Sequence, residues 1–406
     1  MEDAIPNIKE IQDLKYFSWE TYPSKRKEDW DDFLKRTKLD TLPGSITNIH
    51  DLNQKLKENK QVISDKQPRK HQRVTFWEYP STVPPSIACR VAVERGCSLD
   101  DVNFLVHGSV LGFLARVKSK TKKEHVLVQR LGGGNIINIR IVINSHGNLV
   151  DAGRQFERLV RGEDIHSKPS LQLDQHLRTI ELGSHKILVC AESDAMDANT
   201  GKQVEVKTKD PLTEKRFDRD TAKLLFQMIS NGSDTLITAD RVKNESKSKG
   251  QSESKNNKQV SSFTVESVKR IPISNIIEAL TEGKTTLERK IATAESNLSI
   301  IQQKIVTGDE TIYEMMFDND QIKLYPFVLG DKEKTGNVKS QQDLCKITQE
   351  DFQRKNSHYY REHVVKKSSM VPNRRFSLRR KPNEEEKFQT ETARVKEKFK
   401  ADRGKC

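Results

Sequence analysis

From about residue 71 the chain is built of short apolar runs separated by Gly, Lys and Asn turns. VNFLVHGSVLGFLARV (102–117), HVLVQRL (125–131) and NIINIRIVI (135–143) have strand-like lengths and composition, which predicts strands of a mixed sheet. The triple glycine Gly132-Gly133-Gly134 between two of these runs lacks the following Lys-Ser/Thr of a phosphate loop, so it reads as a hairpin turn. In LVDAGRQFERLV, Leu149, Ala152, Phe156 and Leu159/Val160 recur at helical spacing, giving an amphipathic helix that carries Gly153 and Glu157. A strand KILVCAESD (186–194) follows, then the turn-rich link DAMDANTGK and a strand QVEVKT (203–208).

Beyond these, residues 274–306 keep a long helical pattern, with Ile277, Leu280, Leu287, Ile291, Leu298 and Ile301 as an apolar stripe suited to packing on the sheet. The same stripe leaves a coiled-coil partner role open. IKLYPFV reads as one more strand. The expected fold class is α/β (α+β), a mixed β-sheet core flanked by helices, over residues 71–335. Residues 1–70 read as a polar N-terminal extension, with Trp19, Tyr22, Trp30 and Phe33 as aromatic anchors. Residues 242–262, Ser/Lys/Asn-rich, read as a mobile insertion enlarging a hairpin, and 336–406 as a largely disordered basic tail.

Composition narrows the class. Of 406 residues 32% are charged and 34% hydrophobic, and no apolar run is long enough to cross a bilayer, so no membrane partner is expected. The five cysteines, Cys89, Cys97, Cys190, Cys345 and Cys406, form no CxxC pair, and the Met-Glu-Asp-Ala start has no signal-peptide character. An intracellular location, nucleus and/or cytoplasm, is expected, without structural zinc. Residues 351–406 hold 17 Lys+Arg against 8 Asp+Glu, so this segment carries most of the +13 net charge. Its NRRFSLRRK stretch favours polyanions or serves as a nuclear address; a plain solvated tail is compatible with either.

The candidate chemistry lies on the two strands KILVCAESD and QVEVKT. Period-two alternation places Glu192 and Asp194 on one face, and Glu205 and Lys207 on one face of the next strand, opposite Val204 and Val206. Paired as a hairpin, the strands would gather Glu192, Asp194, Glu205 and Lys207 in one patch. Three acids at the rim of a buried sheet repel one another and lose hydration, so a compensating divalent cation is expected. Oxygen ligands suit Mg²⁺ or Mn²⁺, and the chemistry implied is metal-assisted hydrolysis of a phosphate ester or anhydride. An acid followed by Glu-x-Lys is also the look of a PD-(D/E)xK-like nuclease site. A salt-bridged exposed hairpin explains the same residues if nothing else supports the reading.

Support comes from ordered motifs. Gly153-Arg154-Gln155-Phe156-Glu157, Glu192-Ser193-Asp194, Glu205-Val206-Lys207 and Gln227 in KLLFQMISNG, with GSDTLITADR after it, resemble the motif series of the DXO/Rai family of decapping exoribonucleases from about residue 150 to at least 241. The resemblance implies a decapping nuclease. Its metal ligands would be Glu157, Glu192, Asp194 and Glu205, with the Val206 carbonyl joining them, around Mg²⁺ or Mn²⁺, two ions being the expected number. Lys207 and Gln227 would contact the scissile phosphate or the nucleophilic water.

The implied substrates are single-stranded RNA 5′ ends: removal of triphosphate, incomplete or NAD-type caps, with 5′-to-3′ exonuclease degradation, in RNA quality control. The family includes free enzymes and partners of a larger 5′-3′ exoribonuclease. Two departures stand out. Ser193 replaces an apolar residue, and an upstream family arginine is matched by His107 in FLVHG, which then takes a substrate-binding place or is an ordinary half-buried histidine. A catalytically weakened RNA-end-binding or protein-partner descendant of the same fold is therefore the alternative. A DNA-directed nuclease fits the hairpin but accounts less well for Gln227 and Glu157.

Overall fold

The computed structural model describes residues 8–20, 38–39, 41–64, 83, 85–116, 124–131, 134–143, 152–165, 172–208, 217–243, 262–279, 283–309, 311–318 and 321–327. In chain order the elements are β1 (Ile8–Glu20), β2 (Lys38–Leu39), α1 (Ile49–Glu58), β3 (Gln61–Ser64), α2 (Pro85–Glu94), β4 (Phe104–His107), α3 (Val110–Leu114), β5 (Glu124–Arg130) and β6 (Ile137–Ile143). Then come α4 (Ala152–Val160), β7 (Gln172–Leu182), β8 (His185–Glu192), β9 (Ala195–Met196), β10 (Gln203–Lys207), α5 (Phe217–Asn231), β11 (Thr235–Lys243), β12 (Ser262–Pro272), α6 (Ile273–Ala279), α7 (Gly283–Lys304), β13 (Tyr313–Asp318) and β14 (Gln321–Pro326).

Among the described residues these strands form two sheets. One runs β14-β13-β5-β6-β4-β8-β7-β1-β2 and the other β3-β12-β11-β10-β9. Both are mixed: β4 is parallel to β6 and β8, and β10 is parallel to β11, while the other pairs are antiparallel. The mixed α+β class expected from the sequence is the class observed.

β4 lies inside the larger sheet and is covered on both faces, as its apolar run requires. Phe104 and Val106 enter a core shared with α3, α5, α6 and α7, while Leu105 enters a second core with Ile87, Val91 and Cys89 of α2. Each fully buried Val, Leu, Ile or Phe side chain contributes roughly 1.5–3 kcal/mol. The α7 stripe is used in this way: Leu287, Ile291, Leu298 and Ile301 are all buried in the first core. That favours packing on the sheet over a coiled coil; Leu280 lies outside the described residues.

β5 and β6 form an antiparallel pair, with Leu131 N–H donating to Ile136 O at 2.9 Å, and Gly132 and Gly133 of the expected turn lie outside the described residues. In VNFLVHGSVLGFLARV only the first part is a strand; the second is the short helix α3. β11 and β12 form the expected antiparallel hairpin, and residues 244–261 of the insertion lie outside the described residues, as do Tyr22, Trp30, Phe33 and the basic tail. No helix among the described residues is long and apolar enough to cross a membrane.

The stretch expected to be an N-terminal extension contributes to both sheets. β1 pairs with β7 from Ile8↔Leu182 to Glu20↔Gln172, and β3 pairs with β12. Asn53 of α1 locks onto β12 twice, its Nδ2 donating to Val268 O and its Oδ1 accepting from Val268 N–H. The reason the sequence hides β1 is visible in its register. Shifts between Glu10 and Gln12 and between Asp13 and Tyr16 interrupt the period of two by which a strand is recognised.

Candidate active site

The acidic motifs meet at the seam between the two sheets. β8 is paired with β4 on one side and β7 on the other, so it has no free edge to offer β10. The hairpin expected between KILVCAESD and QVEVKT is therefore not formed. The chain instead leaves the larger sheet at Ser193, whose N–H donates to Asp174 O at 2.9 Å, and enters the smaller sheet as β9, paired with β10 through Met196↔Gln203 and Ala195↔Val204. Gln203 ties the sheets together by donating from Nε2 to Glu192 O at 3.3 Å. The acids are thus gathered across two sheets.

α4 supplies the third side of the seam. Its apolar face, with Ala152, Phe156, Leu159 and Val160, packs in a core of the smaller sheet, and Arg154, Glu157 and Arg161 recur at i, i+3 and i+7 on another face. Arg154 Nη2 donates to Glu192 Oε1 at 3.0 Å. Arg161 Nη1 donates to Asp194 O at 2.9 Å and fixes the crossover. The Asp194 carboxylate accepts from Val206 N–H at 3.0 Å and lies 3.6 Å from Lys207 Nζ.

On β10, Val204 and Val206 point into the same core as Phe156, leaving Glu205 and Lys207 on the opposite side. Glu205 is 0% exposed. Its Oε1 accepts from Lys207 Nζ and its Oε2 from Asn231 Nδ2 at the end of α5. Lys207 Nζ also donates to Val206 O at 3.2 Å, so the carbonyl expected to serve a metal is engaged by the ammonium.

The electrostatics follow from this crowding. Burial, then the Asp194 charge, pushes the Glu157 carboxyl well above its ordinary range, and Arg154 and Lys207 only partly offset this. Glu205 is raised for the same two reasons, against the pull of Lys207 and Asn231. For Lys207 burial works to lower the ammonium's proton affinity, but Glu205 and Asp194 override it and hold it above the ordinary lysine value.

Four carboxylates, Glu157, Glu192, Asp194 and Glu205, thus stand against two side-chain cations, Arg154 and Lys207. Fully ionised, the cluster carries an excess of two negative charges, and its donors are all hard oxygens, so its chemistry fits a divalent cation. In the present arrangement Lys207 bridges Glu205 and Asp194, and among the described residues no group of three or more His, Cys, Asp or Glu is disposed to hold a metal ion.

The remaining sites fall at different depths. Gln227 is half-buried on α5, one turn before Asn231, so the two project from one helix face. Of the two readings of His107, its surroundings favour the ordinary histidine over the substrate contact. It is 4% exposed, in register with Cys190 on β8, and its Nε2 is buried without a hydrogen-bond partner. The cause is its strand, which has neighbours on both edges and cores on both faces. Burial, then the nearby Arg140, lowers its pKa to about 3, so the ring is a neutral core group.

Sequence reasoning missed three residues that shape the site. Arg154 sits inside the helix motif but was not singled out as the partner of Glu192. Asn231 lay four residues beyond Gln227, a spacing that marks a shared helix face. Arg140 follows Ile139, which is paired with Val106, and no local pattern separates it from an ordinary strand residue.

No family model and no curated protein matches the sequence. Solved structures do match the fold. Candida albicans Rai1 in complex with pU5-Mn²⁺ is similar at 12% identity and a TM-score of 0.52, over 83% of this chain and 96% of that one. A triple mutant of S. pombe Rai1 in complex with 3′-FADP is similar at 13% identity and a TM-score of 0.50, over 77% of this chain and 91% of that one. The chain has the DXO/Rai fold to which its ordered motifs pointed.

Proposed function

We propose that this protein is a metal-dependent hydrolase of RNA 5′ ends, acting on triphosphate, incomplete or NAD-type caps, with 5′-to-3′ exonuclease degradation as a further activity. The observation that carries this reading is the cluster of Glu157, Glu192, Asp194 and Glu205 with Lys207 at the seam of two sheets in a Rai-type fold. A nuclease uses such a cluster to hold Mg²⁺ or Mn²⁺, as one ion or two, which supplies Lewis-acid activation of the phosphoryl group and of a water.

The chain's own residues do the rest. Glu157, Glu192, Asp194 and Glu205 would offer the ion carboxylate oxygens, and the Val206 carbonyl would be a further ligand. Lys207, freed from Glu205 and Asp194, presents its ammonium to the scissile phosphate. Gln227 orients the phosphate or the water from the α5 face. Arg154 keeps Glu192 directed into the seam. Single-stranded RNA is held chiefly through its phosphates, and the basic segment 351–406 adds nonspecific affinity and a nuclear address. A larger 5′-3′ exoribonuclease is the proposed protein partner.

The test is incubation of the full chain with RNAs bearing triphosphate, unmethylated-cap, methylated-cap, NAD-cap and monophosphate 5′ ends, with Mg²⁺, Mn²⁺ or chelator. Metal-dependent loss of an end group, abolished by Glu192→Ala/Asp194→Ala, is expected. A second reading, an RNA-end-binding protein without turnover, is favoured by Lys207 closing over Glu205 and Asp194 and by the burial of His107. Binding of all five RNAs with every end intact would replace the first reading by the second.

A further inference from the structure

Behind Glu205 a chain of polar contacts runs from the seam to the N-terminal strand. Asn231, 2% exposed, ends α5 and is held on three sides. Its Nδ2 donates to Glu205 Oε2, its Oδ1 accepts from Ser233 N–H at 3.0 Å, and its backbone carbonyl faces His176 Nδ1 at 2.8 Å. That carbonyl belongs to the last helical turn, where no intrahelical donor exists.

β7 supplies the missing donors. Arg178 donates to Ile229 O and to Glu10 of β1, while His176 Nε2 lies 2.9 Å from Asp13 Oδ1. Both His176 nitrogens face oxygens, and His176 and Arg178 together cover the C-terminal end of α5, where the helix dipole favours the guanidinium charge. β1 backs each of the two side chains with a carboxylate. The bulge at Lys15, with φ of 68°, brings Asp13 and Tyr16 to the same side, so that Tyr16 stacks on the His176 ring with centroids 4.6 Å apart. Gly232, with φ of 82°, permits this closeness: a Cβ there would stand 2.7 Å from Arg178 Nη1.

We infer that Asn231 is a positioning residue for Glu205, and that His176 and Asp13 set the place of Asn231. With Oε2 held by the amide, Oε1 is the oxygen turned toward Lys207 and the seam. This inference rests on the metal site proposed above, to which Asn231 would be an outer partner. Outer partners of ligating carboxylates typically change metal affinity or activity 10- to 100-fold when lost.

The experiment is Mn²⁺ titration of the full chain by calorimetry, with unfolding by urea measured on the same samples. Asn231→Asp keeps the acceptor for Ser233 N–H but turns an oxygen toward Glu205, and a 10- to 100-fold loss of Mn²⁺ affinity is expected. Asn231→Ser, smaller and uncharged, serves if that variant does not fold, with an expected loss near tenfold. The Asn231→Asp/Glu205→Gln pair exchanges amide and carboxylate, and is expected to recover the unfolding constant of Asn231→Asp without recovering the affinity. His176→Gln is expected to lower the affinity less than either change at Asn231. Wild-type affinity in folded Asn231→Asp or Asn231→Ser overturns the positioning role. Wild-type protein that takes up no Mn²⁺ overturns the metal reading itself, and the role with it.

Discussion

His176 Nε2 and Asp13 Oδ1 are 2.9 Å apart, joining β7 to a strand 163 residues earlier in the chain. Burial alone would raise the Asp13 carboxyl, but hydrogen bonds from His176 and Lys15 override it and hold the group far below the ordinary aspartate range. A depressed carboxyl contributes stability that is complete above its unfolded value of about 3.9 and is lost as the pH falls from there toward the folded value. Wild-type urea stability is therefore expected to drop more steeply below about pH 4 than that of Asp13→Asn. At neutral pH the substitution should cost about 1–2 kcal/mol. Parallel pH profiles for the two proteins would refute the assignment.

His107 gives the second pH prediction. The folded ring resists protonation until about pH 3, whereas the unfolded chain takes up the proton near 6.5. The folded state is then fully favoured above about pH 6.5 and loses ground as the pH falls toward 3. His107→Leu should flatten that slope. His107→Arg, which buries a charge next to Arg140, should destabilise by roughly 3–5 kcal/mol and is not expected to create a substrate contact. Full stability of the arginine variant would show that the site is open to solvent.

Lys207→Met removes the ammonium from a Glu205 that is 0% exposed. A broken buried pair costs about 3–5 kcal/mol; Lys207 is 36% exposed, so about 2–3 kcal/mol is expected. Chemical denaturation of the metal-free protein measures it. An unchanged midpoint would mean that Glu205 is held by Asn231 alone.

Cys89, Cys97 and Cys190 are free and buried. Burial pushes the Cys89 thiol up to about 12, with Cys97 adding to it, and Cys190 is raised further, again mainly by burial. In a Cys345→Ser/Cys406→Ser background the native protein should react with a thiol reagent at least a hundredfold more slowly than in denaturant. Rapid labelling of Cys89 or Cys190 under native conditions would show that α2 opens from the sheet.

Much of this was legible in order along the chain. The strands around Leu105, Val128, Ile139 and Val189 show as apolar runs because they are covered on both faces. Glu157, Glu192, Asp194, Glu205 and Lys207 were found because strand and helix periods, with the ordered motifs, put each acid where it could turn to a common side. β1 was missed because its bulges set Glu10, Asp13 and Tyr16 at spacings of three on one side of a strand. Asn231 was missed because its importance lies in contacts with Glu205 and His176, both remote in sequence.

The sequence by itself determined the mixed α+β class, the core strands and the identity of the acidic cluster, because hydrophobic period and motif order are local properties. Only the tertiary structure decided that Glu192 and Glu205 belong to different sheets, that His107 is interior, and that the N-terminal strand braces α5 behind the site. Those outcomes depend on which strand edges are already taken and on which distant charges neutralise one another, and both are settled only when the chain closes on itself.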